Sequence, residues 1–243
     1  MNEMTIKKQN PVLAVQCLVK GFKWLLRKEL RKYFLLPLLI NIILYALAFF
    51  LGYYYLTDVI NQMIPGWLSW LEWILWPLFF ISFLVTGFFT FTMLANLIAS
   101  PFYSRLSVRT EELLSGRKTE VKEQPVIKIM LAELNRIVYL LTRMLPLLIL
   151  SVIPVVNLVA PFLWALFSAW GSALEYMAYP LENKGLLFAE QRDYLKKSRL
   201  AALSFGGITL LGLTTPILNL LTAPAAVIGA TIYIYQQKAQ ADE

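Results

Sequence analysis

The chain alternates between long uncharged apolar stretches and shorter segments that hold its charged residues. Four stretches, 33–57, 73–104, 144–174 and 200–237, contain no Asp, Glu, Lys or Arg and have 25, 32, 31 and 38 residues. A helix needs roughly 20 predominantly apolar residues to cross the hydrocarbon core of a bilayer. Each stretch exceeds that length, so the pattern predicts an all-α integral membrane protein.

The composition supports this prediction. Hydrophobic residues make up 58% and charged residues 15% of the 243 residues, whereas about 25% of a soluble domain is charged. A secreted soluble protein, a disordered chain and a nucleic-acid-binding module are therefore excluded. The net charge of +7 would suggest nucleic-acid binding in a soluble protein. In a membrane protein it indicates contact with the membrane surface.

The basic residues predict the orientation of the chain. All 22 Lys and Arg residues lie in four segments, and none lies between 33 and 104. Because cytoplasmic loops are enriched in Lys and Arg, we expect a multi-pass protein with both termini in the cytoplasm and the connector 58–72 outside. Four Trp residues fit an interfacial belt at the outer surface: Trp67, Trp70, Trp73 and Trp76.

The two C-terminal stretches begin and end beside basic segments, so each must return to the side from which it started. Both are interrupted by a related sequence, PVVNL at 154–158 and PILNL at 216–220, each followed shortly by Ala-Pro. Proline removes an amide donor and asparagine tolerates turns. In the first stretch the arms 144–153 and 161–174 would be about 15 and 21 Å long, against a hydrocarbon core of about 30 Å.

We therefore predict two pairs of half-penetrating helices, the re-entrant hairpins 144–174 and 200–237. The alternative is a tight turn between ordinary helices at each proline. Around the hairpins, a single membrane domain over 1–243 is expected to have two long transmembrane helices and several amphipathic ones. The predicted elements are an interfacial amphipathic helix at 11–32, a transmembrane helix at 33–57, a long transmembrane helix reaching the cytoplasm at 73–114, an amphipathic helix at 125–143 and a cytoplasmic helix at 186–199.

The chain lacks the residues that several kinds of catalytic and metal-binding site require. The chain has no histidine and one cysteine, Cys17, which excludes imidazole catalysis, histidine metal ligands and an intrachain disulfide. It has no Gly-rich phosphate loop ending in Gly-Lys-Ser/Thr, no Gly-x-Ser-x-Gly and no His-Glu-x-x-His. We expect no catalytic residues, no metal site and no cofactor.

One candidate anion site lies at the start of the first long helix, in the sequence Glu29-Leu30-Arg31-Lys32-Tyr33. Free N–H groups and the positive end of the helix dipole favour anions at a helix N-terminus, and Arg can bind an oxyanion through two hydrogen bonds. We predict that the backbone amides of Leu30, Arg31 and Lys32, with the two basic side chains, bind an anion. The alternative is an ordinary basic flank of a membrane helix.

Other polar residues in or beside the apolar stretches are candidates for lining a pathway. An amide inside an apolar run needs a partner, so a hydrogen bond between helices competes with this interpretation at Asn96. A salt bridge to a nearby Arg competes with it at Glu175. The pathway candidates are Asn41, Asn96, Arg105, Arg109, Glu111, Asn157, Glu175 and Asn219.

The order of these features resembles the CysZ-type sulfate permeases of bacterial inner membranes over nearly the whole chain. The resemblance starts at Leu30-Arg31. It continues through LPLLIN at 36–41, LWPL at 75–78, ANLIASPF at 95–102, LPLLILS at 145–151, IPVVNLVAPFLWALF at 153–167, ALEY at 173–176 and PILNL at 216–220.

The resemblance implies sulfate uptake for cysteine synthesis by a homo-oligomer in the inner membrane, with sulfite as a candidate competing anion and membrane lipid as a partner. It also implies two long transmembrane helices with two pairs of half-penetrating helices. The sulfate-binding motif of the family is Gly-Leu-Arg, and the matching residues here are Glu29, Leu30 and Arg31. A glutamate thus stands where the family has glycine.

Two other classes of function stay open at this stage. The first is a non-transporting membrane scaffold whose basic cytoplasmic face binds anionic lipid. The second is an enzyme that acts on lipid head groups, for which Glu111, Glu112 and Glu175 would be the acids. The energy source of transport is also open between proton coupling and passive flow.

Overall fold

The computed structural model describes residues 10–63, 70–122, 124–215 and 218–241, with side chains at fewer positions. The regular secondary structure of these residues is entirely helical, which confirms the predicted all-α class. The helices are α1 (Pro11–Leu25), α2 (Lys28–Met63), α3 (Glu72–Ser115), α4 (Val126–Val152), a 3-10 helix (Val156–Leu158), α5 (Ala160–Glu182), α6 (Phe188–Lys197), α7 (Arg199–Thr214) and α8 (Leu218–Ala241).

Among the residues that the structure describes, three helices are long and apolar enough to cross a membrane. They contain the candidate spans Lys28–Tyr55, Ile127–Val152 and Leu218–Ala239, and the shorter apolar helices Trp73–Gly87 and Arg199–Thr214 accompany them. Part of the predicted connector 58–72 continues α2 as far as Met63, whereas residues 64–69, including Trp67, lie outside the described residues. Trp70 and Trp73 are strongly exposed.

The predicted helix 11–32 is divided in the structure. α1 ends at Leu25, Leu26 caps it, and α2 starts at Lys28. Leu26 and Arg27 form the turn, in which the Arg27 amide donates to the Trp24 carbonyl at 3.0 Å. Neither proline nor glycine marks this turn in the sequence.

The predicted boundary between the amphipathic helix 125–143 and the hairpin arm that starts at 144 is also absent. α4 is continuous over 27 residues, or about 40 Å, and α5 has 23 residues, or about 35 Å. The arms beside the first break are therefore longer than expected. A charged residue on one face changes the polarity of a helix without ending it, so the limits of an uncharged run underestimate helix length.

The chain divides into two compact units, and the smaller is Lys32–Phe102. Within it, α2 and α3 are joined by aromatic side chains. The rings of Phe49 and Phe83 lie 5.2 Å apart and those of Tyr53 and Trp76 lie 5.1 Å apart, while the Tyr45 hydroxyl donates to the Gly87 carbonyl. Many outward apolar side chains of α2 are exposed, as expected of helices that face lipid.

The larger unit comprises Met1–Arg31 and Tyr103–Glu243, and α8 is its central helix. Every residue from 224 to 234 is buried. α1 packs against α8 in the antiparallel direction, since Gly21 lies at Ala225 while Cys17 and Leu18 lie at Gly229. A side chain on Gly21 would meet the Ala225 carbonyl oxygen, so glycine permits this close approach.

A second close contact joins α5 and α7. Gly206 lies directly against the backbone of Ala169 and Ala173. α6 connects the end of α5 to the start of α7. α5 begins at Ala160, beside the first break, and runs toward α6, whereas α7 begins next to α6 and ends at Thr214, beside the second break. The two helices are thus antiparallel, and both breaks lie at the end of this unit remote from α6. The end of α3 adds to the core through a 2.9 Å hydrogen bond between the Ser107 and Thr231 hydroxyls.

Candidate functional site

The head of α2 is built by a turn that already uses two of its amides. The N–H groups of Leu30 and Arg31 both donate to the Arg27 carbonyl oxygen at 3.0 Å. Two of the three amides that were predicted to bind an anion, those of Leu30 and Arg31, are thus already bonded within the turn. In the described structure, the amides at this helix start without an acceptor are those of Lys28 and Glu29.

The side chains at this site differ in availability. Leu30 is completely buried and anchors the turn, whereas Arg31 and Lys32 are exposed. The Lys32 ammonium lies 5.1 Å from the ring centroid of Tyr33. Arg31 forms no ion pair with any residue in the described part of the chain.

The first break carries Asn157 in a tight, unusual turn. Val155 has a φ of 72°, which is strained for a β-branched residue, and the Asn157 amide donates to the Ile153 carbonyl at 3.0 Å. The Trp164 indole donates to the Ser151 hydroxyl at 2.9 Å and joins the arms on both sides. The Asn157 side chain is exposed.

The second break carries Asn219 in a similar position. Its amide donates to the Thr215 carbonyl at 3.0 Å, its side chain is exposed, and residues 216 and 217 lie outside the described residues. Because α1 is antiparallel to α8, the last turn of α1 points toward the end of α8 that carries Asn219. Leu30 and Arg31 follow that turn, so they lie toward the same end of the larger unit as the two breaks.

The candidates near the end of α3 lie in two ion pairs and one exposed position. Arg109 pairs with Glu112 at 2.7 Å, and Glu111 lies 4.0 Å from the Lys184 ammonium. Burial lowers the pKa of Lys184, an effect that the Glu111 carboxylate opposes. Arg105 is exposed. The structure thus joins Glu111 to the loop after α5.

Two of the pathway candidates, Asn41 and Asn96, belong to the smaller unit. Asn41 is 2% exposed, and its side-chain amide donates to the Pro37 carbonyl at 3.0 Å on its own helix. Its amide oxygen is buried and has no hydrogen-bond partner among the described residues. Asn96 belongs to α3, but its side chain lies outside the described residues.

A cluster around Arg136 was missed by the sequence analysis. Arg136 lies 3.3 Å from Glu133 and 3.5 Å from Glu182, and it donates to the Gln191 side chain at 3.2 Å. Glu175, a pathway candidate, is exposed and lies in the field of the same guanidinium. These side chains come from α4, α5 and α6, and no short motif in the sequence links them.

Comparison with known proteins identifies the family. The model of the family "Sulfate transporter CysZ/Etoposide-induced protein 2.4" matches residues 17–224. This chain belongs to that family. A protein named Sulfate transporter CysZ from Pseudomonas aeruginosa strain PAO1 is 38% identical over 235 residues, which cover 93% of this chain and 95% of the relative.

Further relatives carry the same name. The protein of Pseudomonas fluorescens strain SBW25 is 41% identical over 237 residues, covering 93% of this chain and 92% of its own. The protein of Vibrio atlanticus is 38% identical over 237 residues, with 91% and 92% covered. The match to the CysZ family therefore includes the head of α2, both breaks and the end of α3.

Proposed function

We propose that this chain is a sulfate permease that carries sulfate across the bacterial inner membrane into the cytoplasm. There the sulfate supplies sulfur for the synthesis of cysteine. The observation that carries the proposal is the identity of 38–41% over more than nine-tenths of the chain with proteins named Sulfate transporter CysZ. Their name is that of a transporter, and this chain has the apolar helices that a transporter needs.

The proposed sulfate site is the head of α2. There the Arg31 and Lys32 side chains replace part of the hydration shell of the dianion, and the amides of Lys28 and Glu29 add hydrogen bonds. The buried Leu30 side chain anchors the turn in the core of the larger unit. Two cations and two amides form a site of moderate strength, which suits transport because a permeating ion must also be released.

From this site, sulfate is proposed to pass the two helix breaks. Support comes from the shared position of the breaks at one end of the larger unit and from the exposure of Asn157 and Asn219. In the membrane, this requires the pairs α4–α5 and α7–α8 to enter and leave on the same side. α7 has 16 residues, or about 24 Å, which is shorter than a hydrocarbon core of about 30 Å.

The direct test is sulfate flux. Purified protein in proteoliposomes is expected to take up radiolabelled sulfate well above the rate of protein-free liposomes. Unlabelled sulfite, another small oxyanion with two negative charges, is expected to compete, and chloride is not. Uptake equal to that of empty liposomes, with protein shown to be folded and inserted, would reject the permease.

The membrane arrangement has its own test. In a Cys17→Ala background, a cysteine at Lys197 is expected to react with an impermeant thiol reagent only after the cells are opened, because α6 is proposed to lie in the cytoplasm. A cysteine at Trp70 serves as the external control and is expected to react in intact cells. Labelling of the Lys197 position from outside would contradict both the re-entrant hairpins and the cytoplasmic termini.

The oligomeric state belongs to the same proposal. We expect homo-oligomers, as the resemblance implies. α4 supports this expectation because much of its apolar side is exposed in the single chain, and lipid or another copy must cover that surface.

A further inference from the structure

A small cavity between α4, α5, α6 and α7 is lined by three cations and two aromatic rings. Its volume is about 260 Å³, several times the roughly 30 Å³ share of one water. The lining residues are Tyr139, Arg143, Trp170, Lys196, Arg199 and Leu203. These residues include no acid, and the cavity takes no part in the proposed sulfate pathway.

Arg143 and the two aromatic side chains are held in place before any ligand arrives. The Arg143 guanidinium lies 3.5 Å from the ring centroid of Tyr139 and donates to the Tyr139 carbonyl at 3.1 Å. The Trp170 indole donates to the Tyr139 hydroxyl at 3.1 Å. This network fixes the wall of the cavity that α4 and α5 share.

The charge of the cavity remains positive after its neighbours are counted. The Lys196 ammonium lies 3.4 Å from Asp193, but Arg192 holds the same carboxylate at 3.1 Å. Arg143 and Arg199 form no ion pair within the described part of the chain. α7 begins at Arg199, so the positive end of its dipole adds to the field.

The cavity also lies where helices pass from charged to uncharged sequence. Arg143 is the last charged residue of α4, and Arg199 is the first residue of α7 and its only charged one. Trp and Tyr are enriched at membrane–water interfaces, and Trp170 and Tyr139 occupy this level. Basic residues together with Trp and Tyr are typical of the level in the bilayer at which lipid phosphates lie.

An apolar track leads away from the cavity toward the first break. Leu166 and Phe162 precede Trp170 at steps of four residues and so share its face of α5. Both are exposed, by 55% and 72%. An acyl chain attached to a group in the cavity can therefore lie against this face.

From the cations, the aromatic rings and the track together, we infer that this cavity binds the phosphate of an anionic phospholipid, with an acyl chain along α5. Arg143 and Arg199 are placed to contact the phosphate oxygens, and Lys196 adds a third donor. The inference requires that the protein lies in a bilayer, but it does not require that sulfate passes through it.

The test compares lipid retention by wild type and variants. Native mass spectrometry of detergent-purified protein is expected to show more phosphatidylglycerol than phosphatidylcholine bound to the wild type. Arg143→Gln with Lys196→Gln and Arg199→Gln is expected to weaken phosphatidylglycerol binding by roughly 100-fold, about fivefold for each cation. The matched control removes three exposed cations outside the cavity, Arg117→Gln, Lys118→Gln and Lys128→Gln, and is expected to bind as wild type.

Several outcomes would overturn the inference. Equal retention of the two lipids by the wild type would mean that charge is not recognised, and equal binding by the two triple variants would place the site elsewhere. Displacement of bound phosphatidylglycerol by inorganic sulfate would identify a site for free oxyanions. If the triple variant does not fold, Arg199→Gln alone makes the same comparison with an expected loss of about fivefold. A failure of sulfate flux would leave every one of these results unchanged.

Discussion

Replacing Arg31 and Lys32 together by alanine is expected to lower sulfate uptake into proteoliposomes by roughly 10-fold to 100-fold. The two side chains are exposed, and Arg31 has no ion pair in the described structure, so their charge is available to the permeating dianion. A hydrogen bond to a charged group contributes about 1.5–3 kcal/mol, and one such interaction lost accounts for this range. The measurement is the initial rate of radiolabelled sulfate uptake at equal protein density.

Two controls separate the site from a general effect of positive charge. Lys20→Ala with Lys23→Ala removes the same charge from exposed positions of α1 and is expected to leave the rate within about twofold of wild type. Glu29→Gln removes a carboxylate beside the site, so the half-saturating sulfate concentration is expected to fall. Wild-type uptake by the Arg31 and Lys32 double variant would remove the head of α2 from the pathway.

Gly206→Ala is expected to destabilise the larger unit by about 1–3 kcal/mol, the usual cost of overpacking a core. The added methyl group would meet the Ala169 carbonyl oxygen, and the backbone of Ala173 closes the other side. Backbone atoms in two packed helices cannot move as a flexible side chain can, so α5 and α7 must separate. The measurement is the midpoint of thermal unfolding in detergent, which is expected to fall by about 2–4 °C for each kcal/mol.

The neighbouring glycine provides the matched control. At Gly207 an added Cβ would lie 3.9 Å from the Ala169 side chain, which is an ordinary contact. Alanine also favours a helix over glycine by up to about 1 kcal/mol, so Gly207→Ala is expected to keep or raise the midpoint. Equal midpoints for the two variants would mean that α5 and α7 do not pack as closely as described.

Several features could be predicted because they depend on local sequence. The four uncharged stretches predicted an all-α membrane protein, and the structure and the family agree with that class. The amphipathic helix predicted from residue 11 is present as α1, in which Gln16, Lys20 and Lys23 are exposed while Leu18 and Leu25 are buried. Among the described residues, a helix also ends shortly before each Pro-x-x-Asn motif: α4 ends at Val152 and α7 ends at Thr214.

Other features could not be predicted because they depend on the path of the chain in space. The turn at Leu26 and Arg27 has no proline or glycine, yet it determines that the Leu30 and Arg31 amides are already bonded. The partners of Arg136 come from segments up to 55 residues away. No local pattern identifies which charged side chains of three helices will meet.

The amino-acid sequence alone determined the solvent that each segment of this protein prefers, because transfer of a side chain from water to hydrocarbon depends on the residue itself and on its period along a helix. Tertiary structure decided which amides stay free at the head of α2, which glycines admit a neighbouring helix and which cations line the cavity at Tyr139. Each of these depends on distances of a few ångströms between segments remote in the chain, and packing alone determines such distances.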